Sequence, residues 1–203
     1  MEDSKMGTRN LTVVIKDNQI KLSQYGQWDG YFEGQGKTFT NFVKNNLTDE
    51  QGLHRFIDCI DLLQNVDDDS HKKYVELWEE MNKNKEFLLP YSVTLPQFSR
   101  DTGAEILNII FNLPTWELKG KKYPVHIEKD SSWCEFIYCI NLDTQEVYML
   151  TTWNFLPKFK KESCELIQQN YKGFRCWYSE KIDNLPSVEN IQQYFNLLFR
   201  KDD

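Results

Sequence analysis

Apolar and polar residues alternate with a period of two near the start of the chain, over residues 11–15 and again over residues 20–25. Such alternation places every second side chain on one face and predicts β-strands. Between the two runs, Asp17 and Asn18 are residues that readily form tight turns. The pattern therefore predicts a β-hairpin.

The segments that follow repeat apolar residues every three to four positions, which is the spacing of one face of an α-helix. This spacing predicts helices over residues 38–45 and from Thr48 onward, and a terminal helix after Pro186. Gln51 stands three residues after Thr48, so the two side chains are predicted to cap the free backbone amides at the start of that helix.

Strand-like alternation returns late in the chain, over residues 124–128, 133–142, 146–152 and 173–180. Strands, then helices, then more strands predict an α+β fold: an antiparallel sheet built from hairpins, with helices packed against it. A length of 203 residues suits a single domain, which we place at residues 7–203. Residues 1–6 are predicted to be a flexible extension.

The composition and charge argue against nucleic acid and membranes as partners of this protein. A formal net charge of −7 would repel a phosphate backbone, so nucleic acid is not expected as a partner. No apolar run approaches the roughly 20 residues of a membrane helix, and no signal-like segment is present, so we expect a cytoplasmic protein that does not enter membranes. The sequence leaves a homo-oligomer open.

Cysteine and histidine do not form a metal-binding pattern. The five cysteines include no pair at the spacing of a zinc site, and the three histidines are scattered. We therefore expect neither a metal ion nor a disulfide framework. No phosphate-binding or dinucleotide-binding glycine motif is present either, so no cofactor is predicted.

The loop over residues 24–36 carries more than turn-forming residues. Tyr25 and Trp28 offer flat aromatic faces, and Gln24, Gln27 and Asp29 offer polar groups beside them. Such a combination suits a ligand with rings and polar edges, such as a nucleotide. The alternative is a packed loop whose aromatic residues only cover the edge of the sheet.

Two arginines extend this candidate site. Arg9, next to Thr8 at the start of the first strand, could form two parallel hydrogen bonds with a phosphate, or could pair with Asp29. Arg100 precedes a predicted helix start, where an anion could bind, or could be a solvated residue beside an ordinary cap. The candidate ligand-binding residues are Thr8, Arg9, Gln24, Tyr25, Gln27, Trp28, Asp29 and Arg100.

Three carboxylates are candidates for a general base if the protein is an enzyme: Glu135, Asp29 and Asp101. Strand alternation places Glu135 on the same face as Trp133 and Ile137, and a carboxylate among apolar neighbours has a raised pKa. The alternative is that Glu135 pairs with an arginine or faces water.

An N-terminal-nucleophile hydrolase is one version of the predicted fold, because Thr8 stands at the start of a strand. That mechanism requires a free amino group on the nucleophile, so residues 1–7 would have to be removed first.

Four motifs together resemble a family of small phage and bacterial proteins with distant relatives in fungi. They are GTRNLT at residues 7–12, QYGQWDGY at 24–31, GQG at 34–36 and SRDTGA at 99–104. Some fungal relatives carry a cysteine before the glycine of the first motif, whereas this chain has Met6. The resemblance implies a phage setting and supplies neither a nucleophile nor an activity.

We therefore expect an accessory phage protein that binds and sequesters a nucleotide-derived molecule, by analogy with proteins that capture the nucleotide signals of bacterial immunity. An ADP-ribose or a cyclic nucleotide fits this expectation. One alternative is a hydrolase that cleaves such a molecule, or an amide or glycosidic bond, with a carboxylate base. Another is a protein that inhibits a host factor through an exposed aromatic patch.

Overall fold

The computed structural model describes residues 7–83, 96–114, 122–153 and 165–199, and the predicted extension at residues 1–6 lies outside them. The strands are β1 (Asn10–Lys16), β2 (Gln19–Gly26), β3 (Leu63–Asn65), β4 (Tyr123–Val125), β5 (Phe136–Asn141), β6 (Glu146–Thr151) and β7 (Arg175–Lys181). The helices are α1 (Lys37–Asn46), α2 (Glu50–Asp61), α3 (Asp68–Lys83), α4 (Ile106–Phe111), α5 (Glu165–Asn170) and α6 (Val188–Phe199). Of the helices in these ranges, none has the length and apolar composition needed to cross a lipid bilayer.

The predicted hairpin is confirmed as β1 and β2, which pair antiparallel. Asp17 and Asn18 both have positive φ angles, of 55° and 52°. Positive φ at both central residues is the geometry of the two-residue turn whose twist matches that of a hairpin. The Asp143 carboxylate accepts hydrogen bonds from the backbone amides of both turn residues, each at 2.8 Å. These bonds fasten the turn to the residues that directly follow β5.

The main sheet has the order β2-β1-β5-β6-β7, with helices packed against it, which confirms an α+β fold. Three of its neighbouring strand pairs are antiparallel, but β1 and β5 are parallel. A parallel pair needs a long crossover, and here the crossover contains α1 to α4. The helical block thus leads from β2, at the edge of the sheet, to β5 in its centre, instead of separating two independent hairpins.

The sheet is buried on both faces. One face packs against α1, α2, α4 and α6 and contains Val14, Phe136 and Tyr138. The other face contains Leu11 and Val13, and it packs against α5 and the residues that follow it. Double coverage explains why β1 is buried along almost its whole length.

Two predicted element starts differ from the structure. Helix α2 is capped by Asp49, whose carboxylate accepts a hydrogen bond from the Gly52 amide at 2.8 Å. Thr48 instead donates its hydroxyl to the Lys44 carbonyl at the end of α1, because only three residues separate the two helices. Strand β5 begins at Phe136 and not at residue 133, because the preceding residues form a turn.

Candidate functional site

The loop at residues 24–36 docks against residues 99–104, which lie far away in the sequence. Hydrogen bonds of three loop glutamines hold the two segments together. They join Gln24 Nε2 to the Ser99 carbonyl at 3.0 Å, the Gln27 amide to the Arg100 carbonyl at 2.9 Å, and the Ala104 amide to Gln35 Oε1 at 2.7 Å. Three of the four motifs singled out in the sequence therefore form one structural unit.

Two glycines of this unit make room for other protein atoms and not for a ligand. A Cβ atom at Gly30 would lie 2.8 Å from the Thr8 carbonyl oxygen, which accepts a hydrogen bond from the Gly30 amide. Gly103 has a φ of +50°, and a Cβ atom there would overlap the Gln35 carboxamide. Part of the motif pattern thus serves loop packing, which was the alternative interpretation of the loop.

The phenol of Tyr25, at the end of β2, is within range of the positive charges of two arginines. Burial raises the pKa of Tyr25, and the positive charges of Arg9 and Arg100 oppose that shift, with a hydrogen bond from Arg100 also contributing. Arg9 immediately precedes β1 and Arg100 lies on the docked segment, so the charges that act on this phenol come from two segments that are distant in sequence. All three residues are among the predicted ligand-binding residues.

Neither arginine forms a salt bridge within the part of the chain that the structure describes, where the salt bridges are all made by lysines. The expected alternative for Arg9, a pair with Asp29, is not observed. Arg9 lies instead over the ring of Trp133, with its guanidinium carbon 5.7 Å from the ring centroid.

A cleft of about 160 Å³ opens beside Tyr25. Its described walls come from β2, from His71 and Val75 on α3, from residues 97–100 and from residues 126–128. A larger depression, of about 480 Å³, lies along α2. We favour the cleft as the site, because the described lining of the depression comes from one helix, whereas the cleft is enclosed by four segments that include Gln24, Tyr25 and Arg100.

Two histidines form part of the cleft wall. The rings of His71 and His126 are parallel within 3°, with centroids 3.8 Å apart. Burial lowers the pKa of His71, and His126 lowers it further, whereas Glu128 and Asp68 act in the opposite direction. Two positive charges at this separation would repel each other strongly, so the geometry disfavours a proton on His71.

The histidine pair predicts that stability falls as the pH is lowered. Because the folded state disfavours a proton on His71, the unfolded chain takes up more protons as the pH falls through the ordinary value of 6.5. We expect the melting temperature to fall between about pH 7.5 and pH 5.5, and the slope to be smaller in His71→Gln. His54→Gln, at an exposed position on α2, is the control and should keep the wild-type slope. Equal slopes in all three proteins would contradict the prediction.

The other predicted ligand-binding residues lie around the loop and do not line the cleft. Thr8 is buried, and its carbonyl holds Gly30. Trp28 is about half exposed and packs against Gly7. Gln27 contributes its backbone amide to the docked segment. Thr8, the candidate N-terminal nucleophile, is therefore a buried residue.

The three candidate catalytic carboxylates do not meet in one place. Asp29 and Asp101 are exposed, on the loop and on the segment docked against it. Glu135 precedes β5, and its Oε2 accepts a hydrogen bond from the Trp153 indole at 3.3 Å. The predicted strand face shared by Glu135 and Trp133 is not formed, because β5 begins only at Phe136 and Trp133 is 70% exposed. None of the three carboxylates is among the described residues that line the cleft.

The contributions of His71, His126 and Glu128 were not predicted from the sequence. They are separated by up to 57 positions and belong to no local motif. Parallel pairing of β3 with β4, and a single bridge between Ser23 and Ile127, bring them beside β2. Within the described ranges, no group of three or more histidine, cysteine or acidic side chains is arranged to hold a metal ion.

Comparison with known proteins adds no further constraint on this site: no family model, no curated protein and no solved structure matches the chain.

Proposed function

We propose that this protein binds a nucleotide-derived small molecule at the cleft and sequesters it. The supporting observation is that Arg100 lines the cleft together with Tyr25, whose pKa is raised by burial and lowered by the charges of both Arg9 and Arg100, and that neither arginine forms a salt bridge within the described residues. In a chain with a net charge of −7, a local excess of positive charge is a favourable place for an anion. Guanidinium groups bind phosphate oxygens through strong charge-assisted hydrogen bonds.

The remainder of the cleft suits the uncharged part of such a molecule. Rings of His71 and Phe98 provide flat, largely apolar surfaces, with centroids 5.7 Å apart. Gln24, Ser99 and Glu128 add polar groups at the rim. Small-molecule sites typically combine a mostly apolar lining with a few polar groups that fix the orientation of the ligand.

The resemblance to phage proteins suggests where such binding would be useful. A phage benefits from a protein that lowers the free concentration of a nucleotide signal used in bacterial immunity. Sequestration requires tight binding and no chemistry, which agrees with a cleft whose described lining includes none of the three candidate catalytic carboxylates.

Isothermal titration with adenosine 5′-monophosphate, ADP-ribose and a cyclic dinucleotide tests the proposal. We expect at least one of them to bind, and we expect Arg100→Ala to weaken that binding about 10- to 150-fold, because a hydrogen bond from a charged group contributes about 1.5–3 kcal/mol. Arg9→Ala should act in the same direction.

Arg175→Ala is the matched control, because Arg175 is exposed on β7, at the far edge of the sheet from β2. Lack of binding to any probe by folded wild-type protein would refute the proposal, as would an equal loss in Arg175→Ala. Mass spectrometry of the ligand after denaturation then separates the alternatives: intact ligand means sequestration, and fragments mean hydrolysis.

A further inference from the structure

The cleft is too small for a whole dinucleotide. Its volume of about 160 Å³ lies below the roughly 300–1,000 Å³ typical of sites that enclose a drug-sized ligand. A group the size of a sugar fits such a space, whereas a nucleoside diphosphate derivative would extend beyond it. If the proposed function holds, part of the ligand therefore lies outside the cleft, against a neighbouring surface.

Arg9 connects the cleft to such a surface. Burial raises the pKa of Tyr25, which lines the cleft, and the positive charge of Arg9 opposes that shift. Arg9 also lies over Trp133, 5.7 Å from the ring centroid. A phosphate held by Arg9 and Arg100 would have the cleft on one side and the indole of Trp133 on the other.

Trp133 is presented to solvent by an ordered turn. It is 70% exposed, compared with 48% for Trp28. The turn is held by hydrogen bonds from the Asp130 amide to Glu128 Oε1 at 2.8 Å, from the Ser132 amide to Asp130 Oδ1 at 2.9 Å and from the Cys134 amide to the Ser131 carbonyl at 3.0 Å. Since Glu128 lines the cleft, the same turn ties the position of Trp133 to the cleft wall.

We infer that Trp133 is a stacking platform for an aromatic ring of the ligand, outside the cleft. This inference rests on the proposed function and narrows it to one class of ligand. The molecule has phosphate in its middle, a nucleobase that stacks on Trp133 and a small polar group, such as a sugar, that enters the cleft. A nucleoside diphosphate sugar has this order of groups.

Binding of ADP-ribose and of ribose 5-phosphate, each measured by titration, tests the inference. Ribose 5-phosphate carries the phosphate and the sugar without the base. Trp133→Ala should weaken ADP-ribose binding about 5- to 150-fold, the range expected for loss of one stacked base, and should leave ribose 5-phosphate binding unchanged. Trp133→Phe should restore part of the loss.

Leu197→Ala is the control, because Leu197 is 82% exposed on α6 and its truncation should change neither affinity. If both probes bind and Trp133→Ala binds ADP-ribose as the wild type does, the inference is wrong and the proposed function stands. An equal loss for both probes also overturns it, since Trp133 would then act only by positioning Arg9. If folded wild-type protein binds neither probe, the inference fails, and the full nucleotide panel decides the proposed function.

Discussion

Replacing Phe136 with alanine is expected to lower the free energy of unfolding by about 3–5 kcal/mol, the range for truncating a fully buried phenylalanine. Phe136 is 0% exposed at the start of β5. Its ring lies within 5.3–6.2 Å, between centroids, of the rings of Tyr31, Trp153, Phe195 and Phe199. The substitution would leave a cavity between the sheet, the loop and α6. Denaturant unfolding monitored by circular dichroism measures the change.

Trp133→Ala provides a contrast only three positions away. Although tryptophan is the larger residue, Trp133 is mostly exposed, so its loss should change stability by no more than about 0.5 kcal/mol. Phe136→Leu should fall between the two, because leucine fills part of the cavity. Similar losses for Phe136→Ala and Trp133→Ala would contradict the burial of Phe136 in the aromatic cluster.

Gly103→Ala is expected to lower the free energy of unfolding by about 2–4 kcal/mol. A residue other than glycine at a positive φ costs about 1–3 kcal/mol, and the added methyl group would also displace the Gln35 carboxamide. That displacement breaks the 2.7 Å hydrogen bond from the Ala104 amide, worth about 1 kcal/mol. The docked segment that contains Arg100 would loosen, so ligand affinity should fall with stability.

Gly173→Ala is the matched control, because Gly173 has a φ of +88° and no atom within 4 Å of an added Cβ. Gly173→Ala should therefore lower the free energy of unfolding only by the cost of placing alanine at a positive φ. A double-mutant cycle with Gln35→Ala isolates the steric part: once Gln35 is truncated, Gly103→Ala should cost little more than Gly173→Ala. An additive cycle would mean that the loop does not depend on the Gln35 contact.

The site was partly predictable because some of its residues lie in distinctive local sequence. Arg9, Tyr25 and Arg100 were predicted as members of one site from their unusual neighbours, and Tyr25 and Arg100 line the same cleft in the structure. His71 and His126 have ordinary neighbours and no spacing rule that links them. Their stacking depends on where α3 and the residues after β4 pack, which no local pattern specifies.

The loop at residues 24–36 shows why residue types alone allowed two interpretations, a ligand-binding loop and a loop that only packs against the protein. Glycine and glutamine are expected where backbone approaches a ligand, and equally where it approaches other backbone. Only the contacts distinguish the cases: Gly30 meets the Thr8 carbonyl, and Gln35 binds Ala104. Trp28 and Trp133 likewise differ in surroundings that their sequence neighbours do not reveal.

The amino-acid sequence by itself determined the hairpin, the main helices and the α+β class, because hydrophobic periodicity and turn chemistry are local properties. The tertiary structure alone decided the parallel pairing of β1 with β5, 126 positions apart between Asn10 and Phe136, and the faces that the helices cover. It also decided that Tyr25, Arg100 and the histidine pair line one cleft. Such convergence depends on the packing of segments that are distant in the chain, and packing is set by the whole core at once.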